Sequence, residues 1–227
     1  MPIDDPTELF DLFDAEGHAL GRSKARALVH RDGDWHRSVH VWVVHTSDEG
    51  PSVVLQRRSL TKDTHPGKVD VSVAGHLRSG EPGGAKEAAV REAEEEIGLT
   101  LDVAELVRLG LRRHVGRREP SHLDRELQEI FFVTTSRALE TLKPDPDEVL
   151  GVLAASLPDA RAIARGEVER IRVREVRSGD REPRHGTLER EELLLSPDGY
   201  FARALESITR KLAGAEEGEW VLGEDDS

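Results

Sequence analysis

Apolar and polar positions alternate along several segments of the chain, and this pattern predicts its strands. Residues 8–22 alternate, turn and alternate again, which predicts an N-terminal hairpin. The β-branched run SVHVWVVHT, residues 38–46, predicts a nearly continuous strand. Its His40, Trp42 and Val44 share one face. A histidine of this strand is therefore a candidate site residue, although such a residue is more often part of a sheet surface.

The remaining segments mix strand and helix patterns. Further strands are predicted at 52–57, 69–73, 102–113, 126–134 and within 168–176, and helices at 23–29, 158–166, 189–195 and 200–213. The polar stretch between the strands 102–113 and 126–134 is predicted to be a loop. The acidic tail from residue 216 onward is predicted to be frayed. Within it, the apolar segment WVL at 220–222 is a candidate for docking on the domain.

The stretch from Gly75 to Leu99 carries the densest chemistry. On a helix at about 100° per residue, Glu92, Glu95 and Glu96 share one face beside an apolar stripe. Like charges at this spacing cost roughly 0.2–0.5 kcal/mol per pair, and a hard cation such as Mg²⁺ removes that cost. Gly98 suits the left-handed conformation that ends a helix. A solvated acidic face is the alternative interpretation.

This stretch resembles the Nudix box, Gly-x5-Glu-x7-Arg-Glu-U-x-Glu-Glu-x-Gly-U, in which U is apolar. The matching positions are Gly75, Glu81, Arg91, Glu92, Ala93, Glu95, Glu96, Gly98 and Leu99. Nine residues rather than seven separate Glu81 from Arg91, so the role of Glu81 stays open. The helical half matches without a gap.

The segment KDTHPGKVDVSVAGHLRSGE extends the resemblance to Nudix proteins related to isopentenyl-diphosphate isomerase, over about residues 8–160. The resemblance implies an α+β Nudix fold, a mixed β-sheet sandwiched between helices (α/β/α), with an N-terminal β-hairpin and a C-terminal helical extension. We expect residues 1–37 to form the hairpin and lead-in and 38–166 the Nudix domain. Residues 167–227 would be an extension packed on the same domain.

The resemblance implies a hydrolase that cleaves the diphosphate linkage of a nucleoside diphosphate derivative or related pyrophosphate through a metal-activated water. Glu92, Glu95 and Glu96 would bind Mg²⁺ or Mn²⁺, because these hard cations prefer carboxylate and phosphate oxygens. Arg91 would orient a carboxylate of the box. The catalytic proton acceptor stays open among Glu95, Glu96 and Glu126.

Other acidic residues follow from the same resemblance. Asp124 and Glu126 match an acidic-x-Glu pair that supplies metal or catalytic carboxylates in the isomerase-like subgroup. Glu129, on the opposite face of the strand, competes with Glu126. Glu148, after the last core strands, is a further candidate.

Three residues are candidates for substrate binding: Arg57, Arg58 and Gly75. The two arginines end a predicted strand, where they would hold a phosphate or a carboxylate or would cap an acidic surface. Few aromatic side chains are available to stack on a base, and the candidates are Trp35, Trp42, Phe131 and Phe132.

Composition narrows the partners of this 227-residue chain. Its net charge of −13 argues against nucleic acid and anionic membranes as partners, which leaves a small-molecule diphosphate. The chain has no cysteine and so no disulfide or thiol nucleophile, which fits a cytoplasmic location. We see neither a signal-peptide pattern nor a run of 18 apolar residues. The hairpin and the C-terminal helices leave a homodimer open.

Two alternatives differ in chemistry. The first is a non-catalytic Nudix domain that binds a nucleotide, which only the two-residue insertion favours. The second is an isopentenyl-diphosphate delta-isomerase, but that family uses a catalytic cysteine and this chain has none. The sequence does not name the substrate, so ADP-ribose, nucleoside di- and triphosphates, coenzyme A derivatives and thiamine diphosphate all stay open.

Overall fold

A computed structural model describes residues 5–62, 64–118, 122–180, 182–216 and 218–223. Its strands are β1 (Leu9–Phe13), β2 (Ala19–Ala25), β3 (Trp35–His45), β4 (Ser52–Arg58), β5 (Val69–Asp70), β6 (Val73–His76), β7 (Val107–Arg118), β8 (His122–Thr135), β9 (Val149–Ser156), β10 (Arg170–Arg177), β11 (Arg184–Glu189) and β12 (Trp220–Leu222). Its α-helices are α1 (Arg26–Asp32), α2 (Ala85–Ile97), α3 (Leu157–Arg165) and α4 (Tyr200–Leu212).

The strands form a mixed sheet whose main path runs β11-β10-β9-β4-β3-β8-β7-β12. β3 is parallel to β8 and β12 is parallel to β7, whereas the other neighbours on this path are antiparallel. The hairpin of β1 and β2 joins β3, as do the four residues of β6. Near the middle of the sheet β3 therefore has β8 on one side and both β4 and β6 on the other.

Helices cover both faces of this sheet. On one face Trp42, Leu55 and Ile130 pack against residues of α3 and α4 in one hydrophobic cluster. On the other face Val41 and Phe131 pack against alanines of α2 in a second cluster. Because successive strand residues point to opposite faces, β3 and β8 contribute to both clusters. The expected α/β/α arrangement is confirmed.

Helix α2 follows the pattern that its sequence predicts. Its alanines and Ile97 are buried against the sheet. Gly98 ends the helix in the left-handed conformation, with φ of 64°, and its N–H bonds to the carbonyl of Glu94. α2 and α4 have 13 residues each, and among the described residues no helix is long and apolar enough to cross a membrane.

One predicted loop is instead part of a long hairpin. The stretch 114–125 was expected to be a polar loop, but β7 and β8 remain paired through it, with His114 opposite Glu126 and Gly116 opposite Asp124. Its polar residues are there because one face of this hairpin lines a cavity. Residues 119–121 lie outside the described part of the chain.

Two smaller expectations also change. The helix expected at 23–29 begins at Arg26, because β2 extends to Ala25. The helix expected at 189–195 is a 3₁₀ turn at Arg190–Glu192 after β11. Near the C-terminus Trp220 is buried in β12, as the docking of WVL predicts, while residues 224–227 of the predicted tail lie outside the described residues.

We propose that residues 167–227 fold as one unit with the rest, and α4 offers a test. Leu205 is 1% exposed in the cluster that includes Trp42, whereas Leu212 of the same helix is 38% exposed. Leu205→Ala should lower the free energy of unfolding by about 2–5 kcal/mol in a single denaturant transition. Leu212→Ala, the matched control, should lower it by less than about 1 kcal/mol. Two separate transitions would contradict the proposal.

Candidate active site

The polar end of one sheet face forms the floor of a cavity of about 750 Å³. The strand register aligns Ser38 with Gln128 and Arg112 with Gln128, so their side chains share this face. Farther along the same face, Trp42 and Ile130 are buried in the hydrophobic cluster under α4. The face therefore changes from polar to apolar along β3 and β8, and the cavity occupies the polar half.

The predicted carboxylates of α2 reach this cavity together. Glu92, Glu95 and Glu96 all line it, as does Gly75 on β6. A Cβ at position 75 would collide with the carboxyl group of Glu92. The glycine therefore allows the Glu92 side chain to lie directly against β6. This explains the glycine by packing, whereas from the sequence we expected Gly75 to contact the substrate.

Arg91 holds three of the acidic side chains around it. Its Nε and Nη2 donate to the two oxygens of Glu81, at 2.6 and 3.0 Å, and its Nη1 donates to Glu92 and Glu95, at 2.6 and 3.0 Å. Nη2 also donates to the carbonyl oxygen of His76 at 2.9 Å. This bidentate pair with Arg91 is the role that the structure gives Glu81, despite the two extra residues before Arg91.

The three box carboxylates of α2 differ in their surroundings. Glu96 is 5% exposed, and its Oε2 accepts hydrogen bonds from the Ala74 N–H at 3.1 Å and from Gln56 Nε2 at 3.2 Å. Burial, followed by the charge of Glu92, raises the pKa of Glu96 well above its usual value. Burial also raises the pKa of Glu92, although Arg91 opposes this. Side-chain exposure of Glu95 is 45%.

A second cluster of ligand atoms lies in the same cavity. It consists of His30 from α1, His36 from β3, His76 from β6, and Asp124 and Glu126 from β8. The nitrogens of the three histidines lie within 4.8 Å of one another, and so do the ligand atoms of His36, Asp124 and Glu126. We call these five residues the histidine–carboxylate cluster. All but His36 line the cavity, and His36 is fully buried beside it.

Contacts within the histidine–carboxylate cluster are partly loose. His76 Nε2 is 3.1 Å from Glu126 Oε1, which is a hydrogen bond. His36 Nε2 lies 3.6 Å from Asp124 Oδ1 and 4.0 Å from Glu126 Oε1, distances too long for hydrogen bonds. This buried nitrogen has no hydrogen-bond partner among the described residues. Buried polar atoms are normally paired, so this nitrogen is a candidate cation ligand.

The charges of the histidine–carboxylate cluster are set by burial and by neighbours. Burial alone would raise the pKa of Glu126, but the hydrogen bond from His76 and the charges of the nearby histidines hold it well below its usual value. Ser38 Oγ and Gln128 also donate to Glu126. Burial, with the charge of His76, lowers the pKa of His36 to about 4. His36 is therefore neutral at pH 7, the form that binds metals.

The sequence indicated only part of the histidine–carboxylate cluster. Asp124 and Glu126 were expected from the resemblance, and His30, His36 and His76 were missed. No fixed spacing marks these histidines, because a helix end, a strand and the strand before the box bring them together. A cluster of this kind depends on the pairing of β3 with β6 and β8, for which the local sequence carries no signal.

The two predicted arginines separate in the structure. Arg58 lines the cavity, donating to Asp70 at 3.3 Å and to the Thr64 carbonyl at 2.9 Å. Arg57 is not among the cavity-lining residues of the described chain, and its guanidinium binds Glu175 and Glu192. The structure therefore gives the expected substrate contact of Arg57 no support.

The acidic candidates Glu126, Glu129 and Glu148 differ in whether they reach the cavity. Glu126 lines the cavity, while Glu129 points to the other face and pairs with Arg108 at 2.7 Å. Glu148 lines the cavity beside Lys62, with which it forms an ion pair. Of the two alternatives on β8, the one that reaches the cavity is Glu126.

The cavity takes its aromatic surface from an unexpected place. The four aromatics predicted to stack on a base lie in β3 and β8 and are buried: Trp35, Trp42, Phe131 and Phe132. Tyr200 and Phe201, the first residues of α4, line the cavity instead.

Comparisons with known proteins agree on one family for this chain. The NUDIX domain family matches residues 34–174. An uncharacterised Nudix hydrolase of Clostridium acetobutylicum is 35% identical over 155 residues, 67% of this chain and 71% of that protein. The isopentenyl-diphosphate delta-isomerase of Cutibacterium acnes is 33% identical over 159 residues, 68% of this chain and 76% of that protein.

Solved structures extend the comparison to the fold alone. A crystal structure of a Deinococcus radiodurans protein superposes with a TM-score of 0.51 at 21% identity, covering 70% of this chain and 89% of that one.

The raised pKa of Glu96 predicts a pH dependence of stability. Above its ordinary pKa of 4.5 the unfolded chain loses the proton that folded Glu96 keeps. The folded state then binds more protons, so this group makes stability fall as pH rises. In metal-free protein, Glu96→Gln should make the free energy of unfolding fall less steeply as pH rises above 4.5.

Denaturant titrations at several pH values measure this effect. Glu94→Gln is the control, because Glu94 is exposed on the same helix and should leave the pH dependence unchanged. Equal pH profiles for Glu96→Gln and the parent protein would contradict the prediction.

Proposed function

This chain belongs to the Nudix family and is a hydrolase of that family; on that premise we propose that it cleaves a diphosphate linkage in a metal-dependent reaction. The substrate is a nucleoside diphosphate derivative or a related pyrophosphate. The observation that carries the proposal is the placement of two sets of cation ligands in one cavity, the glutamates of α2 and the histidine–carboxylate cluster.

The charge of the cavity explains why metal and substrate belong together. A diphosphate is a polyanion, and Glu92, Glu95 and Glu96 repel it unless cations lie between them. Carboxylate oxygens suit Mg²⁺ and Mn²⁺, while imidazole nitrogens suit Zn²⁺, Fe²⁺ and other late transition metals. The buried, unpaired His36 Nε2 supports a cation in the second set. Bound cations would polarise a phosphoryl oxygen and acidify a water molecule.

The protein's own side chains would orient the cation ligands and deprotonate the attacking water. Arg91 fixes the positions of Glu92 and Glu95, so their oxygens are in place before substrate arrives. A carboxylate then accepts the proton of the attacking water. Glu96 and Glu126 are the two buried candidates for this acceptor. Glu95 remains a third candidate.

Substrate binding is proposed for fewer residues than the sequence suggested. Arg58 lines the cavity and retains a guanidinium near its mouth, whereas Arg57 is engaged elsewhere. Gly75 would support the site indirectly, because it leaves the space that the Glu92 side chain occupies. The cytoplasmic location and the homodimer stay predictions.

An isomerase is the second candidate, since relatives with that name are about one third identical to this chain. The absence of cysteine argues against it. Formation of an allylic diphosphate from isopentenyl diphosphate, measured directly, would decide for the isomerase. A nucleotide-binding domain without activity is the third candidate, and it predicts binding without release of phosphate products.

A substrate panel tests the proposal. Incubation with ADP-ribose, nucleoside di- and triphosphates, coenzyme A and thiamine diphosphate should release products from at least one member with Mg²⁺ or Mn²⁺ and not with a chelator. No product from any member in either metal would contradict a hydrolase of this substrate class.

The carboxylates of α2 predict a loss of turnover without a loss of folding. Glu95→Gln and Glu96→Gln should each lower kcat by about a hundredfold or more, because a metal ligand or base is lost. Thermal unfolding checks that both variants fold, and Glu94→Gln is the control on the same helix. Full activity in both variants would contradict the assignment.

A further inference from the structure

The segment after β11 closes one end of the cavity. Leu194, Leu195, Ser196, Tyr200 and Phe201 line it, and all five lie beyond residue 174, where the family match ends. This segment therefore adds a wall to the cavity that the family-wide region does not contain.

The closing segment is held in place by Arg112 of β7. Arg112 donates to Asp198 Oδ2 at 2.6 Å and to Ser196 Oγ at 2.9 Å, and its guanidinium lies 4.5 Å from the centre of the Tyr200 ring. Gln128 accepts a further hydrogen bond from it at 2.9 Å. These contacts fix the start of α4 against the floor of the cavity.

The Tyr200 hydroxyl joins two side chains of β3. It lies 3.0 Å from Trp42 Nε1 and 2.9 Å from His40 Nδ1. An indole N–H only donates, so the hydroxyl oxygen accepts from Trp42. Among the described residues His40 Nδ1 is the only acceptor within hydrogen-bond distance of the buried hydroxyl proton, so we assign that proton to the bond with His40. His40 Nδ1 is then the acceptor, and its ring proton lies on Nε2.

The second ring nitrogen of His40 faces the cavity. His40 lines the cavity and is 8% exposed, and Nε2 makes no hydrogen bond to a described residue. Burial lowers the pKa of His40 to about 4, so the ring is neutral at pH 7. A neutral N–H donor with a fixed direction therefore stands on the floor of the cavity.

The position of His40 relates this donor to the proposed chemistry. His40 is directly opposite Ala74 in the β3–β6 pair, and the Ala74 N–H is bonded to Glu96. His40 and Glu96 both line the cavity, so a substrate whose diphosphate is bound at the carboxylates of α2 has His40 on the wall of the same cavity.

We propose that His40, held by Tyr200, donates its Nε2–H to a hydrogen-bond acceptor on the moiety linked to the diphosphate and selects polar moieties over hydrocarbon ones. This inference rests on the proposed function. A carbonyl oxygen, ring nitrogen or hydroxyl oxygen would satisfy the donor. A hydrocarbon chain would displace water from it and leave it unpaired, which is how polar sites reject apolar analogues.

The ring proton is tested without any substrate. Two-bond ¹H–¹⁵N correlation of histidine-labelled protein at pH 7 should show His40 with its proton on Nε2, and Tyr200→Phe should remove that preference. His40→Gln identifies the signal by its loss. A proton on Nδ1 in the parent protein would overturn the proposal.

The selectivity is tested with the panel member that the parent protein cleaves fastest and with isopentenyl diphosphate as a competing inhibitor. His40→Leu should raise KM for the panel substrate by about three- to tenfold, the loss expected for one neutral hydrogen bond, with little change in kcat. His40→Gln keeps an N–H donor and should recover most of the loss. Inhibition by isopentenyl diphosphate should become stronger in His40→Leu.

The controls separate this proposal from the proposed function. His45→Leu changes a histidine of the same strand that is not among the cavity-lining residues and should leave KM unchanged. If no panel member is cleaved, the proposed function fails and the ring-proton measurement alone decides on His40. If a substrate is cleaved and His40→Leu leaves both KM and inhibition unchanged, the inference about His40 fails while the hydrolase stands.

Discussion

Compensation of the carboxylates that surround the cavity is the constraint on which the rest of the structure depends. A buried charge without a partner is strongly unfavourable, so each carboxylate needs a cation or hydrogen-bond donors. Arg91 supplies this for Glu81 and Glu92, and histidines supply it for Glu126. Glu96 accepts hydrogen bonds only from amide groups in the described chain. That incomplete compensation is the reason for the divalent cations that we propose and, through them, for the proposed polyanionic substrate.

One face of the sheet serves both stability and binding. Its apolar half, around Trp42, packs under α3 and α4, and its polar half, around His40, is the floor of the cavity. Tyr200 stands at the border, because its ring is in the core and its hydroxyl meets His40. The hydrophobic packing of α4 therefore positions a polar group of the cavity. Phe201, the next residue of the same helix, likewise packs on Trp42 and lines the cavity.

Local patterns predicted most of the elements, whereas long-range register was needed for the site. The helix ending at Gly98 follows from apolar spacing and a glycine, both readable within one segment. The strand pairing at 114–125 was missed because polar residues facing a cavity resemble polar residues facing water. Arg57 and Arg58 were grouped by adjacency, although neighbours on a strand point to opposite faces. The convergence of His36 with Glu126 depends on which strands pair.

The polarity of the cavity floor bears on the choice between the two chemistries found among the relatives. Fold and cation ligands do not decide between them, because function depends on the groups that meet the substrate. An isoprenyl chain gains affinity by burial against apolar walls. The floor here instead presents the polar side chains of His40, Arg112, His114 and Gln128. The chain has no cysteine for the isomerase reaction. The polar floor in addition favours a substrate whose moiety accepts hydrogen bonds, and with it hydrolysis over isomerisation.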